Sequence, residues 1–133
     1  MQEQFVSLLT GNAGVAALTG GGHRIWWGVA GQGYDGPLAV LNLISGVPDY
    51  HMAGPSGMEE SRVQIDCRAS TLAAAKGLAD AIDTVLSGYA GTVGAIRFSP
   101  ILRIARRGGF EKTEAESFHI VSDDYQVFSG RAA

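Results

Sequence analysis

The sequence predicts an α+β fold, with a mostly antiparallel sheet of about five strands and an N-terminal helix and one long central helix packed on one face. Three observations predict it. Ser61–Ala69 alternates strictly, with Val63, Ile65 and Cys67 on one side and Arg62, Gln64, Asp66 and Arg68 on the other, the period of a half-buried strand. A helical stripe follows directly, in which Leu72, Ala75, Ala79, Ile82 and Leu86 recur at spacings of three and four. The remaining apolar runs are short and bounded by glycine or proline, so the order helix, strand, strand, long loop, strand, helix, strand, strand describes one sheet with its helices on one side.

Taken in order, Gln2–Leu18 carries Phe5, Leu8, Leu9, Val15 and Leu18 at helical spacings, with Gly11 breaking it into two short pieces and Gly20, Gly21 and Gly22 ending it. Ile25, Trp26, Trp27 and Val29 read as a short aromatic strand before the turn-rich GQGYDGP. Pro37 suits the first position of the next strand, where its missing donor matters least. Leu38–Ser45 is almost wholly apolar, a strand covered on both faces, or on one face by its own fold and on the other by a partner. Gly46–Met58, with Pro48, Gly54, Pro55 and Gly57, reads as a loop longer than a hairpin needs. After the alternating strand, Ser70 or Thr71 caps the central helix, Lys76, Asp80 and Asp83 lie off its apolar stripe, and Gly88 stops it.

Val93–Ser99 reads as a strand, and Pro100–Arg107 as an edge strand or bulged extension. Gly108 and Gly109 are expected to turn the chain, and the charged Glu111–Glu116 leads into a last strand over Phe118–Phe128. There Val121, Tyr125 and Val127 share a face that Asp123 interrupts. Residues 1–128 are thus one domain and 129–133 a flexible tail without ordering signals.

Composition narrows the function. With 10 basic and 13 acidic side chains the formal charge is −3, and no basic excess exists to bind nucleic acid generically. Charged residues are 17% of the chain, against roughly 25% in an ordinary domain. The deficit is local, because residues 4–58 hold only Arg24, Asp35 and Asp49. The 19 glycines among 133 residues are about twice the usual share of roughly 7%. No secretory signal opens the chain, which predicts synthesis in the cytosol, and polar residues interrupt uncharged residues 4–22 too often for a bilayer span. Cys67, the only cysteine, reads as a small buried apolar residue.

No catalytic, cofactor or metal motif emerges. His23, His51 and His119 lie in different elements without metal-ligand spacing, the glycine runs do not form a phosphate loop, and no nucleophile-elbow pattern occurs. Glu59 and Glu60 read as a solvated pair. Arg97, Arg103, Arg106 and Arg107 form the only basic cluster. It is either an electrostatic contact for an acidic neighbour or passing DNA, or a solvated edge guarded against strand pairing, with Glu111, Glu114 and Glu116 near enough to compensate it.

Three segments together resemble a known family: GVAGQGYDGPLAVLNLISGVPDY, GMEESRVQIDCRASTLAAAKGLADAI and the closing DYQVF. The resemblance is to the tail-completion, or tail-terminator, proteins of long-tailed phages and gene transfer agents. It runs from the N-terminal helix to about Phe128, and rests on Leu41–Tyr50, the VQID run at Val63–Asp66, and the helix bearing Ala74, Ala75 and Lys76. Asp123 departs from it, since the family more often has an apolar residue there.

The resemblance implies a ring-forming subunit, expected as a hexamer, that caps the finished tail tube at the head-proximal end of the virion. Such a subunit catalyses nothing. Its implied partners are copies of itself, the major tail tube protein and a head-side connector, with DNA passing through the lumen unread. A ring subunit has two lateral and two axial contacts, so low charge is tolerable on covered surface. The expected contact surface is therefore Leu38–Ser45 and Gly46–Met58, through Leu41, Leu43, Val47, Pro48, Tyr50, Met52 and Met58. Trp26 and Trp27 are further candidates, with a core role equally open to them, as are Arg103, Arg106 and Arg107. Two alternatives stand beside this one: a small enzyme or ligand-binding domain with a site among Trp26, Tyr34, His51 and Arg103, or another connector or tube component.

Overall fold

The computed structural model describes residues 2–20, 24–28, 37–51, 54–112 and 117–131, with side chains described except at 2, 46–51, 54–58, 110–112, 117–118 and 131. The N-terminal helix is two helices, α1 (Gln2–Thr10) and α2 (Ala13–Leu18). Asn12 divides them and caps the second, its side-chain oxygen accepting from the Val15 amide at 3.1 Å. Phe5, Leu9 and Val15 are buried as the spacing predicts, whereas Leu18 at the end of α2 is exposed. The strand β1 (Ile25–Trp27) follows. Arg24, just before it, donates from Nε to the Pro37 carbonyl (2.9 Å) and from Nη2 to the Leu18 carbonyl (3.0 Å). This cation ties the end of α2 to the start of the next strand.

That strand, β2 (Leu38–His51), and its partner β3 (Gly54–Ala69) overturn the expectation of a long loop. They pair antiparallel from Leu38↔Arg68 to His51↔Gly54, with register shifts at Leu43/Ser45 and Pro48/Tyr50. Proline and glycine signal turns locally, but here the irregularities absorb them and the ladder continues. Only positions 52 and 53 of the expected loop, including Met52, lie outside the described residues.

The helix α3 (Leu72–Leu86) begins where its cap predicts, the Thr71 hydroxyl accepting from the Ala74 amide at 3.1 Å. Gly88, at φ +80°, takes the left-handed conformation that ends it. Ala75, Leu78, Ala79, Ile82 and Leu86 are buried. Leu72, expected in the same stripe, is exposed instead.

The expected strand at Val93–Ser99 is instead a hairpin, β4 (Gly91–Val93) and β5 (Ile96–Phe98), turning at Gly94 with φ +58°. The expected turn at Gly108 and Gly109 is strand: β6 (Leu102–Lys112) runs through both, which pair with Val121 and Ile120 of β7 (Ser117–Arg131). The last strand continues past Phe128 through Ser129 to Arg131, where β5 pairs with it.

Among the described residues seven strands therefore form the sheet rather than about five. The order is β1-β2-β3-β7-β5-β4, with β6 also on β7. All pairings are antiparallel except β1 with β2, so the sheet is mixed. The far edge of β7 is divided, β6 taking Ser117–Gln126 and β5 taking Ser129–Arg131. The core lies between this sheet and the three helices, built from Phe5, Leu9, Leu78, Ile82 and Leu86 against Leu41, Val63, Ile65, Tyr125 and Val127. Cys67 belongs to it, and burial, with Asp123 and Asp66 nearby, pushes its thiol well above the ordinary value, so it stays protonated and inert.

Candidate assembly surface

Successive residues of a strand point to opposite faces, so the neighbours Asp123 and Asp124 of β7 serve the two sides of the sheet. Each is 2% exposed, and each is satisfied by arginine. On the helix side, Asp123 takes a bidentate pair from Arg106, Nε to Oδ1 at 2.7 Å and Nη2 to Oδ2 at 2.9 Å. Arg106 also reaches Asp80 of α3 at 2.7 Å. Beside it, Arg103 lies 3.3 Å from Asp83, whose carboxylate accepts from the Tyr125 hydroxyl at 3.0 Å. On the opposite face, Asp124 binds Arg107 (2.9 and 3.2 Å) and Arg62 of β3 (2.6 Å). The same face carries Ser122 and Gln64 donating to Asp66, at 2.6 and 2.9 Å, and Gln126 donating to Glu60.

The ion pairs leave a signature in the titration of their members. The Arg107 hydrogen bond, helped by Arg62 and opposed by burial, holds the Asp124 carboxyl below its ordinary value. The Arg106 hydrogen bond does the same for exposed Asp80, and Arg106 itself is raised chiefly by Asp123. Tyr125 is raised by burial and by the nearby Asp123 and Asp83, so its hydroxyl stays a donor.

Three members of the arginine cluster, Arg103, Arg106 and Arg107, thus have their compensation in Asp80, Asp83, Asp123 and Asp124, and the side chain of Glu111 is not described. Glu114 and Glu116 lie outside the described residues. The aspartates of α3, expected to be merely off the apolar stripe, hold β6 to the helix layer. Asp123 faces the core side among Val121, Tyr125 and Val127, as the alternation requires, and Arg106 makes that burial tolerable.

Among the other candidate contact residues, Leu41 is fully buried in the chain's own core and is not a surface residue. Trp27 is half-buried with its ring edge-on to Phe5 (6.1 Å between centroids), and Trp26 is half-buried in β1. Leu43 is exposed. Val47, Pro48, Tyr50 and Met58 lie in the β2–β3 ladder. Trp26 and Arg103 belong to opposite edges of the sheet, with β2, β3 and β7 between them, and so share no site.

Ile44, within the expected contact run Leu38–Ser45, is exposed beside a register shift of β2, and sequence reasoning missed two further exposed apolar residues at the shift of β6, Leu102 and Ile104. The signal available for the last two was their alternation with Arg103 in an edge strand. Between the shifts lies a shallow cavity of about 360 Å³ lined by Ser45, Glu60, Ser61, Arg62, Ile104 and Gln126. Among the described residues no group of three or more His, Cys, Asp or Glu side chains could hold a metal ion, and no helix is long and apolar enough to cross a membrane.

The described residues thus form an α+β domain, a mixed sheet backed by helices on one side, with exposed apolar residues on β2 and β6 and ion pairs holding β6 to α3 and β7. The family model of "Tail completion protein gp17" matches residues 3–127, and the chain belongs to that family of structural virion tail proteins. A chain of the solved "Virion of native gene transfer agent (GTA) particle" shares the fold, with a TM-score of 0.76 at 17% identity, over 98% of this chain and 95% of that one. A second solved chain of unstated function aligns with a TM-score of 0.55 at 14% identity, over 96% and 95%. No curated protein sequence matches.

Proposed function

We propose that this protein caps the head-proximal end of a tail tube as a ring, expected to be a hexamer, and that its ring ends tube growth and offers the docking surface for the head-side connector. Membership of the tail-completion family over nearly the whole chain carries the reading. The mechanism is geometric. One ring face matches the last ring of tube subunits, the other lacks the surface that recruits another, and no catalysed reaction is needed. DNA passes through the lumen without base readout. The charge-poor first half of the chain, above all β2, supplies intersubunit surface, and Trp26, Leu43, Val47, Pro48, Tyr50, Met52 and Met58 are its proposed contact residues.

Electron microscopy of particles assembled without this protein tests the reading. A terminator is required if tails become overlong and headless. Short or absent tails instead mean a tube component, and normal infectious particles exclude the role.

A further inference from the structure

We infer that neighbouring copies join edge to edge, the free edge of β6 in one copy pairing antiparallel with β2 in the next, so that a single sheet continues from subunit to subunit. The inference rests on the ring reading above and specifies its lateral contact.

Among the described residues both edges are open. β1 covers only Ala39–Leu41 of β2, and among the described residues no strand lies beyond Asn42–His51. β6 pairs with β7 alone. An exposed edge strand of 11 residues is a template for another strand unless charges or covering structure block it. The arginines that could guard β6 do not, because Arg103, Arg106 and Arg107 are drawn onto the faces of the sheet by Asp83, Asp123 and Asp124. What stands at the edges is apolar: Leu43 and Ile44 on β2, Leu102 and Ile104 on β6, each 41–52% exposed.

The occupant is a second copy, and strand direction and level both support it. Since β2, β3, β7 and β6 alternate in direction, a copy rotated about an axis along the strands brings its β2 antiparallel to β6. Leu43 pairs with Val63, Val63 with Tyr125, and Tyr125 with Arg103. One row across the sheet therefore ends at the β2 irregularity on one side and the β6 irregularity on the other. The two apolar pairs stand at the same level, so the contact repeats without axial rise and can close into a ring instead of climbing into a filament.

The test uses Ile44→Cys and Ile104→Cys in the full chain, assembled on tails and treated with a short bismaleimide. Buried Cys67 does not compete. Mixed single variants should give a cross-linked species of twice the chain mass containing one of each, neither variant alone should dimerise, and the double variant should give a ladder of multimers. Dimers from a single variant overturn the pairing in favour of a two-fold contact. Rings of the right mass without cross-copy adducts overturn the edge pairing while leaving the ring intact. Failure to form any ring on tails removes both.

Discussion

The two edges of this sheet reach an uncharged surface by opposite routes. β2 has almost no charge to begin with, Asp49 being its sole ionisable acid or base of fixed charge. β6 is dense in charge but cancels it, since each of Arg103, Arg106 and Arg107 finds an aspartate within the same chain. Composition records only the first route. A charged segment in sequence is a charged surface in the fold only if its partners lie elsewhere, and here they come from α3 and β7. β6 should therefore depend on its ion pairs for its own seating, while β2 should depend on them little.

The sharpest break of that contrast is Arg106→Ala. It strands the Asp123 carboxylate, 2% exposed, without its bidentate partner, and should cost about 3 kcal/mol in urea unfolding. Replacing both members by apolar residues, Arg106→Met with Asp123→Leu, should recover much of that loss. A double variant as unstable as the single one would show that the pair does more than neutralise itself.

Acid should act on the same side. Asp124 and Asp80 have lowered folded values, so their contribution is fully present above the ordinary carboxylate value near about pH 4 and is lost as pH falls through the lowered values. Thermal melts should show this contribution unchanged from neutral pH to about 5 and eroding below about 4. Hydrogen exchange across the same series should report β6 amides opening before those of β2 and β3.

A smaller effect is expected from Tyr125→Phe, which removes the hydroxyl held by Asp83 and should lower stability by about 1 kcal/mol. Smallest of all is Ile44→Ser on the other edge. It should change the stability of the isolated chain by no more than about 0.5 kcal/mol, yet reduce incorporation into particles. Equal losses of folding and incorporation would instead make Ile44 an ordinary packing residue.

The elements legible in sequence are those whose signal is local. Ser61–Ala69 and the stripe from Ala75 to Leu86 announce themselves because one face of each meets the same core, and the caps Thr71 and Gly88 need only their immediate neighbours. The β2–β3 arm was hidden because Pro48, Gly54 and Pro55 carry the signal of a loop, while the ladder that overrides them is formed with residues of the other strand. Gly108 and Gly109 were misleading in the same way, their place in β6 being set by Val121 and Ile120. The candidate surface divides similarly: Leu43 was visible as part of an uncharged run, but Leu41 in that run is core, while Ile44 and Ile104 are exposed within register shifts and Leu102 is exposed just before one.

The sequence alone determined the α+β class, the central strand–helix pair, the inert buried cysteine and the scarcity of charge over residues 4–58, because periodicity and composition are properties of neighbouring residues. Only the tertiary structure decided that Arg103, Arg106 and Arg107 are paired within the chain, and that the apolar residues of two distant edges stand at one level of the sheet. Both depend on which strands become neighbours, a choice made by the packing of the whole core and recorded in no single segment.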